Sequence, residues 1–136
     1  MIIADTDVLI DFLRGNGDSA KRIAIELETR SFGTTVITAF EIRAGARTAR
    51  QMSAVDTLLD AMNILPFGPE EARIAAEVRQ QVESQGKPIR IAEYMIAAIC
   101  IADGSVLITR NLEAFGRVKG LKISGRYPPM SLRRGP

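Results

Sequence analysis

The chain has no histidine and a single cysteine among its 136 residues. Without imidazole there is no Ser-His-Asp or Cys-His catalysis, no histidine-dependent nuclease chemistry and none of the usual histidine-ligated transition-metal sites. The lone Cys100 lies in the apolar run Ile99-Cys100-Ile101, so neither a disulfide framework nor a cysteine-based zinc site can form within one chain, and a buried structural thiol is expected. Also missing is any uncharged apolar stretch of the roughly 18 residues that span a bilayer. The start, Met1-Ile2-Ile3-Ala4-Asp5, has no basic stretch before an apolar run, so a cytoplasmic protein without membrane partners is expected. An enzyme with this inventory works with carboxylates, hydroxyls, amides, lysine or arginine. Hard oxygen ligands of that kind select Mg²⁺, Ca²⁺ or Mn²⁺.

What is present suits one well-packed domain: 46% of residues are hydrophobic and 25% charged, the balance of an ordinary globular chain. The net charge of +2 is unevenly spread. From Ala114 onward the last 23 residues hold six Lys or Arg and no acid, which leaves 12 basic against 16 acidic residues, a net of −4, on residues 1–113. An acidic body with a basic end fits a metal site with a phosphate-attracting flank, and fits equally a solvated tail with no partner.

Ile2-Ile3-Ala4 reads as a strand, Asp5-Thr6-Asp7 as a carboxylate turn, and Val8 to Leu13 as a helix broken at Gly15-Asn16-Gly17. A second helix is expected over about Ser19 to Thr29. Thr34 to Ile37 is β-branched and reads as a strand. Thr38-Ala39-Phe40-Glu41 then matches a capping box opening the next helix. From Gln51 to Asn63, Met52, Val55, Leu58, Leu59 and Met62 recur at helical spacing, Ile64 to Phe67 suggests a short strand, and a helix from Gly68-Pro69 should run to about Gln85 and stop at Gly86. Ile91 to Ala102 is nearly all apolar, with Glu93 its one charge, and reads as a buried helix. Val106 to Ile108 and Leu121 to Ile123 complete the strands, with a helical turn over Leu112 to Phe115 between them. Alternating strands and helices imply an α/β domain with a mainly parallel sheet, whose ligand crevice lies at the carboxyl ends of the strands.

Asp5, Glu41 and Glu93 stand out, and each has a structural explanation. Asp5 or Asp7 can cap the first helix, Glu41 can complete the capping box, and Glu93 can pair with Arg90 or another arginine. What they share is origin in three separate segments that this topology brings to one sheet edge. Together they suit one or two divalent ions, which would relieve the like-charge repulsion and serve phosphodiester chemistry. Thr6, Thr109 and Asn111 are neutral groups able to orient carboxylates or contact phosphate, or equally turn and cap residues.

Three segments resemble the PIN-domain ribonucleases, and among them the VapC-type toxins of toxin-antitoxin pairs. They are Ile2-Ile3-Ala4-Asp5-Thr6-Asp7-Val8-Leu9-Ile10-Asp11, Thr38-Ala39-Phe40-Glu41-Ile42-Arg43-Ala44-Gly45, and the stretch from Gly86-Lys87-Pro88-Ile89 through Ile96-Ala97-Ala98 to Leu107-Ile108-Thr109-Arg110-Asn111. The resemblance implies a three-layer α/β/α domain over residues 1–125, with 126–136 as a basic, irregular tail. It implies an Mg²⁺- or Mn²⁺-dependent endoribonuclease, often homodimeric and restrained by a VapB-like antitoxin. Asp5 and Glu41 take the places of the family's first two acids, as catalytic and metal-binding residues. Glu93 stands where the family usually has Asp. Near the place of a fourth acid this chain has Asn111, which brings a carbonyl or holds a water but adds no charge, and Ala114. Thr6, Asp7, Thr109 and Asn111 form the supporting shell. Two alternatives remain: a degenerate PIN-like module that binds RNA or protein without cutting, and a phosphatase of the haloacid-dehalogenase type. The latter is suggested by Asp5-Thr6-Asp7 after a strand but requires a suitably placed lysine, and only Lys21, Lys87, Lys119 and Lys122 exist.

Overall fold

The computed structural model describes residues 1–15, 23, 27, 28 and 31–125. Most of the helix expected over Ser19 to Thr29, and the tail 126–136, lie outside the described residues. The elements are β1 Ile2–Ala4, α1 Thr6–Leu13, β2 Phe32–Thr35, α2 Val36–Gly45, α3 Ala49–Asp60, β3 Asn63–Leu65, α4 Pro69–Glu83, α5 Ile91–Asp103, β4 Val106–Ile108, α6 Leu112–Phe115 and β5 Lys122–Ser124. The five strands form one all-parallel sheet in the order β3-β2-β1-β4-β5.

Strand side chains alternate between the two faces, so each face builds its own core. Ile2, Ala4 and Ile108 join Val8, Leu9, Phe32, Ile42, Val55, Leu58 and Leu59 on one side. Ile3 and Leu107 join Val78, Val82, Tyr94, Ile96, Ala97, Cys100 and Phe115 on the other. The result is the expected α/β/α sandwich. Cys100 is fully buried, and burial foremost, with the nearby charges of Asp5 and Asp103, pushes its thiol up to about 12. It is an inert structural residue. Among the described residues no helix is long and apolar enough to cross a membrane.

One expectation is overturned. The strand ends at Thr35 and α2 begins at Val36, so Thr38 does not open a capping box with Glu41. The Thr35 hydroxyl accepts the Thr38 amide at 3.1 Å and caps the helix itself. β-Branched Val36 and Ile37 favour a strand by propensity, but a well-placed cap outweighs the few tenths of a kcal/mol involved. The shift leaves Glu41 a full turn inside α2 and frees its carboxylate for tertiary contacts.

Strand order locates the crevice. From β1 the chain moves outward through β2 and β3, then crosses back to β4 and continues to β5 on the opposite side. The reversal between β1 and β4 is the topological switch point, where open parallel sheets bind ligands. Ala4 pairs with Ile108 there, so Asp5 and Thr109, the residues that follow, leave the sheet side by side.

Candidate active site

A cleft of about 470 Å³ opens at that switch point, lined by Asp5, Thr6, Asp7, Glu41, Arg90, Glu93 and Asn111. Asp5 caps α1: its Oδ1 accepts the Thr6 amide at 2.8 Å, and its Oδ2 accepts the hydroxyl of fully buried Thr109 at 2.7 Å. Capping and cleft lining are thus simultaneous roles of one carboxylate. The Asp5 carboxyl is held above its ordinary value by burial first, against the lowering effect of the Thr109 and Thr6 donors, with the charges of Asp7 and Glu93 adding to the rise. Asp7, exposed on the first turn of α1, lines the same cleft.

Glu41 reaches across from α2. Its Oε1 accepts the Thr6 hydroxyl at 2.7 Å, and that hydroxyl lies 3.2 Å from the hydroxyl of buried Thr38. Thr6 therefore ties α1 to α2 at the cleft floor. Glu41 Oε2 accepts from Arg90 Nη1 at 3.4 Å.

Glu93 is the residue that completes a capping arrangement. It stands third in α5, and its Oε1 accepts the Arg90 amide at 2.9 Å. Its Oε2 accepts the Asn111 side-chain amide at 2.7 Å. Only 5% of Glu93 is exposed, so these donors offset its desolvation. The Arg90 pairing is present too, at 3.7 Å from Nε to Oε1. Asn111 turns its carbonyl to the Ala114 amide at 3.4 Å as the cap of α6 and its NH₂ to Glu93. It supports a carboxylate and does not present its oxygen as a ligand. Thr109 accepts the Asn111 amide at 2.9 Å while donating to Asp5, so one hydroxyl couples the two sides of the switch point.

The structure thus gathers Asp5, Thr6, Asp7, Glu41, Glu93 and Asn111 around one cleft, with Thr109 directly behind Asp5. From sequence, Arg90 figured only as an ion-pair partner for Glu93; its spacing of three residues from Glu93 was the available signal for a place in the cleft. Among the described residues no three acidic, cysteine or histidine side chains stand close enough to form a ready metal cage. Mg²⁺ seldom needs one, being held by one or two carboxylates, waters and substrate phosphate. The donor set is all oxygen, and each Asp5 oxygen accepts one described hydrogen bond and so retains a lone pair. Asp5 and Glu93 also repel each other across the cleft, a strain that a cation relieves. These residues fit a hard divalent ion.

A family model described as PIN domain matches residues 2–121 of this all-parallel α/β/α sandwich. The chain belongs to the PIN domain family. Among its relatives is a "VapC ribonuclease Y4jK" of Sinorhizobium fredii, 29% identical over 95% of this chain and 99% of the relative. Another is a "tRNA(fMet)-specific endonuclease VapC" of Salmonella typhimurium, 26% identical over 88% of this chain and 92% of the relative. Of solved structures, VapBC2 from Rickettsia felis bound to a DNA fragment from their promoter superposes with a TM-score of 0.82 at 21% identity, covering 91% of this chain and 98% of that one.

Proposed function

We propose that the chain is a Mg²⁺- or Mn²⁺-dependent endoribonuclease of the VapC type, the toxin of a toxin-antitoxin pair, with residues 1–125 as its catalytic domain and 126–136 as a basic tail. The observation that carries this reading is the convergence of Asp5, Glu41 and Glu93 from three separate elements on one cleft at the switch point of a PIN fold. The near full-length match to VapC ribonucleases supports RNA as the substrate.

Asp5, Glu41 and Glu93 are the residues that would hold the ion, as the metal-binding and catalytic groups of this reading. When bound, the ion supplies charge neutralisation at the scissile phosphate and activates a water for attack. The remaining work belongs to the chain. Thr109 and the Thr6 amide hold Asp5 in one orientation, and Asn111 and the α5 N-terminus do the same for Glu93, so the charge is pre-positioned before substrate arrives. Thr6 keeps Glu41 pointed into the cleft, and Asp7 adds negative potential at its mouth. No lysine lines the cleft among the described residues, which counts against the phosphatase alternative.

Two surfaces support the partners. An apolar groove of about 320 Å³ between α1, α2 and α3, lined by Ile10, Leu13, Ile42, Ala46 and Val55, runs up to Glu41; it fits a segment of a VapB-like antitoxin, a partner that the Rickettsia felis VapBC2 structure supports. Phe40, 70% exposed, and Val36 one turn earlier form an apolar stripe on α2 suited to a second copy in a homodimer. Cytoplasmic location follows from the same reading.

The test is cleavage of mixed-sequence RNA by antitoxin-free protein in Mg²⁺ or Mn²⁺, against excess EDTA. Metal-dependent endonucleolytic cleavage that Asp5→Asn abolishes is the expected result. Retained RNA binding without cleavage in any metal replaces this reading with the binding module.

A further inference from the structure

The cleft carries a cation of its own. Arg90 is the one basic side chain lining it among the described residues. Its guanidinium spans the two acids that flank the opening, with Nη1 3.4 Å from Glu41 Oε2 and Nε 3.7 Å from Glu93 Oε1. Arg110, by contrast, pairs with Asp11 at 3.3 Å, Arg43 with Asp56, and Arg117 with Glu113 and the Lys87 carbonyl.

Both Arg90 contacts are longer than the 2.7–2.9 Å of a charge-assisted hydrogen bond, and its side chain is 66% exposed against 19% for Glu41 and 7% for Glu93. The guanidinium is a loosely held counter-ion over fixed carboxylates. Its backbone, by contrast, is anchored, since its amide donates to Glu93. Such a side chain moves without disturbing the acids beneath it.

We propose that Arg90 competes with the divalent ion for Glu41 and Glu93 and, displaced from them, binds the phosphate backbone of the RNA. The inference rests on the nuclease reading above and adds a regulatory residue to it. Glu41 and Glu93 offer one seat for positive charge, and a guanidinium and a divalent ion repel each other within it. Once released, the planar fork at the cleft mouth matches two phosphate oxygens.

The consequence is a pair of effects with opposite sign. An arginine that merely braces the acids would weaken metal binding when removed, and one that merely binds RNA would leave metal binding alone. The experiment uses the full chain as wild type, Arg90→Gln and Arg90→Lys. Mn²⁺ binding is measured by calorimetry without RNA, and KM and kcat are measured on a labelled single-stranded RNA of mixed sequence at saturating Mn²⁺. A single charge about 6 Å from a divalent ion in a water-like dielectric corresponds to about a tenfold change, so Arg90→Gln is expected to bind Mn²⁺ about tenfold more tightly. Its KM should rise, with the salt dependence of log KM falling by about 0.7 per log unit as one phosphate contact is lost. kcat should stay within about threefold, since the residue leaves the ligated acids in place. Arg90→Lys, which keeps the charge but not the fork, should restore wild-type Mn²⁺ affinity while leaving KM raised.

Unchanged or weaker Mn²⁺ binding by folded Arg90→Gln, in a wild type that binds Mn²⁺ and cleaves RNA, overturns the proposal and leaves the nuclease reading intact. A wild type that neither binds Mn²⁺ nor cleaves overturns both. Should Arg90→Gln not fold, a Mn²⁺ affinity for Arg90→Lys more than about fivefold weaker than wild type is equally fatal, because the lysine retains the competing charge and should not weaken the site.

Discussion

Replacing Thr109 by valine isolates the one hydroxyl that joins both sides of the switch point. The side chain is fully buried; it donates to Asp5 Oδ2 at 2.7 Å and accepts from the Asn111 amide at 2.9 Å. Valine keeps the shape and removes both contacts. A hydrogen bond to a charged group is worth about 1.5–3 kcal/mol and an orphaned amide costs about 1 kcal/mol more, while the extra buried methyl returns about 1 kcal/mol. The net loss is about 1.5–3 kcal/mol, read as a shift in the urea midpoint at pH 7 with the slope unchanged. Thr109→Ser keeps the hydroxyl and loses a methyl, at about 1 kcal/mol, so serine should be the milder change. The hydroxyl donates to ionised Asp5 and holds its pKa down, so the valine penalty is full where Asp5 is charged and shrinks as pH falls through its titration. A valine variant within about 0.5 kcal/mol of wild type, or less damaging than serine, refutes the assignment of that hydroxyl.

Asp5→Asn should abolish cleavage without loss of stability. The folded carboxyl titrates above its ordinary 3.8, so the stability it contributes is fullest below that value and is lost as pH rises through the folded pKa; at pH 7 the neutral amide should melt no lower than wild type, and wild-type cleavage or a drop in Tm of several degrees sinks the idea. Glu93→Gln keeps the reach to the Arg90 amide but loses the charge, and should weaken Mn²⁺ binding at least about tenfold by calorimetry; an unchanged affinity makes Glu93 a cap alone. Gly33→Ala tests the sheet, because a Cβ there would lie 2.5 Å from the Asn63 carbonyl oxygen on β3. The strands must part, at about 1–3 kcal/mol in urea unfolding, and a cost under about 0.5 kcal/mol contradicts the strand spacing.

Much of the fold was legible because hydrophobic period and turn residues act locally. The spacing of Val55, Leu58 and Leu59, the Pro69 start and Gly86 stop of α4, and the apolar Ile91 to Ala102 run each appear as helices close to their expected bounds. The failure at Thr38 is also local: Val36 and Ile37 are β-branched and argue for strand, while the hydroxyl of Thr35, three residues before Thr38, is placed to cap. Propensity could not rank those options, because the cap depends on the backbone angle at which β2 leaves the sheet.

The sequence by itself determined the chemistry open to this protein. With no histidine and a single cysteine, carboxylates are the main acid-base and metal-binding groups it offers, and the segments bearing Asp5, Glu41 and Glu93 are recognisable as a series. Only the tertiary structure decided how those acids are used. Strand order sets Asp5 beside Thr109, the start of α2 turns Glu41 toward Thr6 and Arg90, and the cap of α5 buries Glu93 against Asn111. Those relations join residues as many as 104 positions apart. Residue identity and spacing record which groups are available, whereas their distances, burial and shared hydrogen bonds arise when the sheet closes around its switch point.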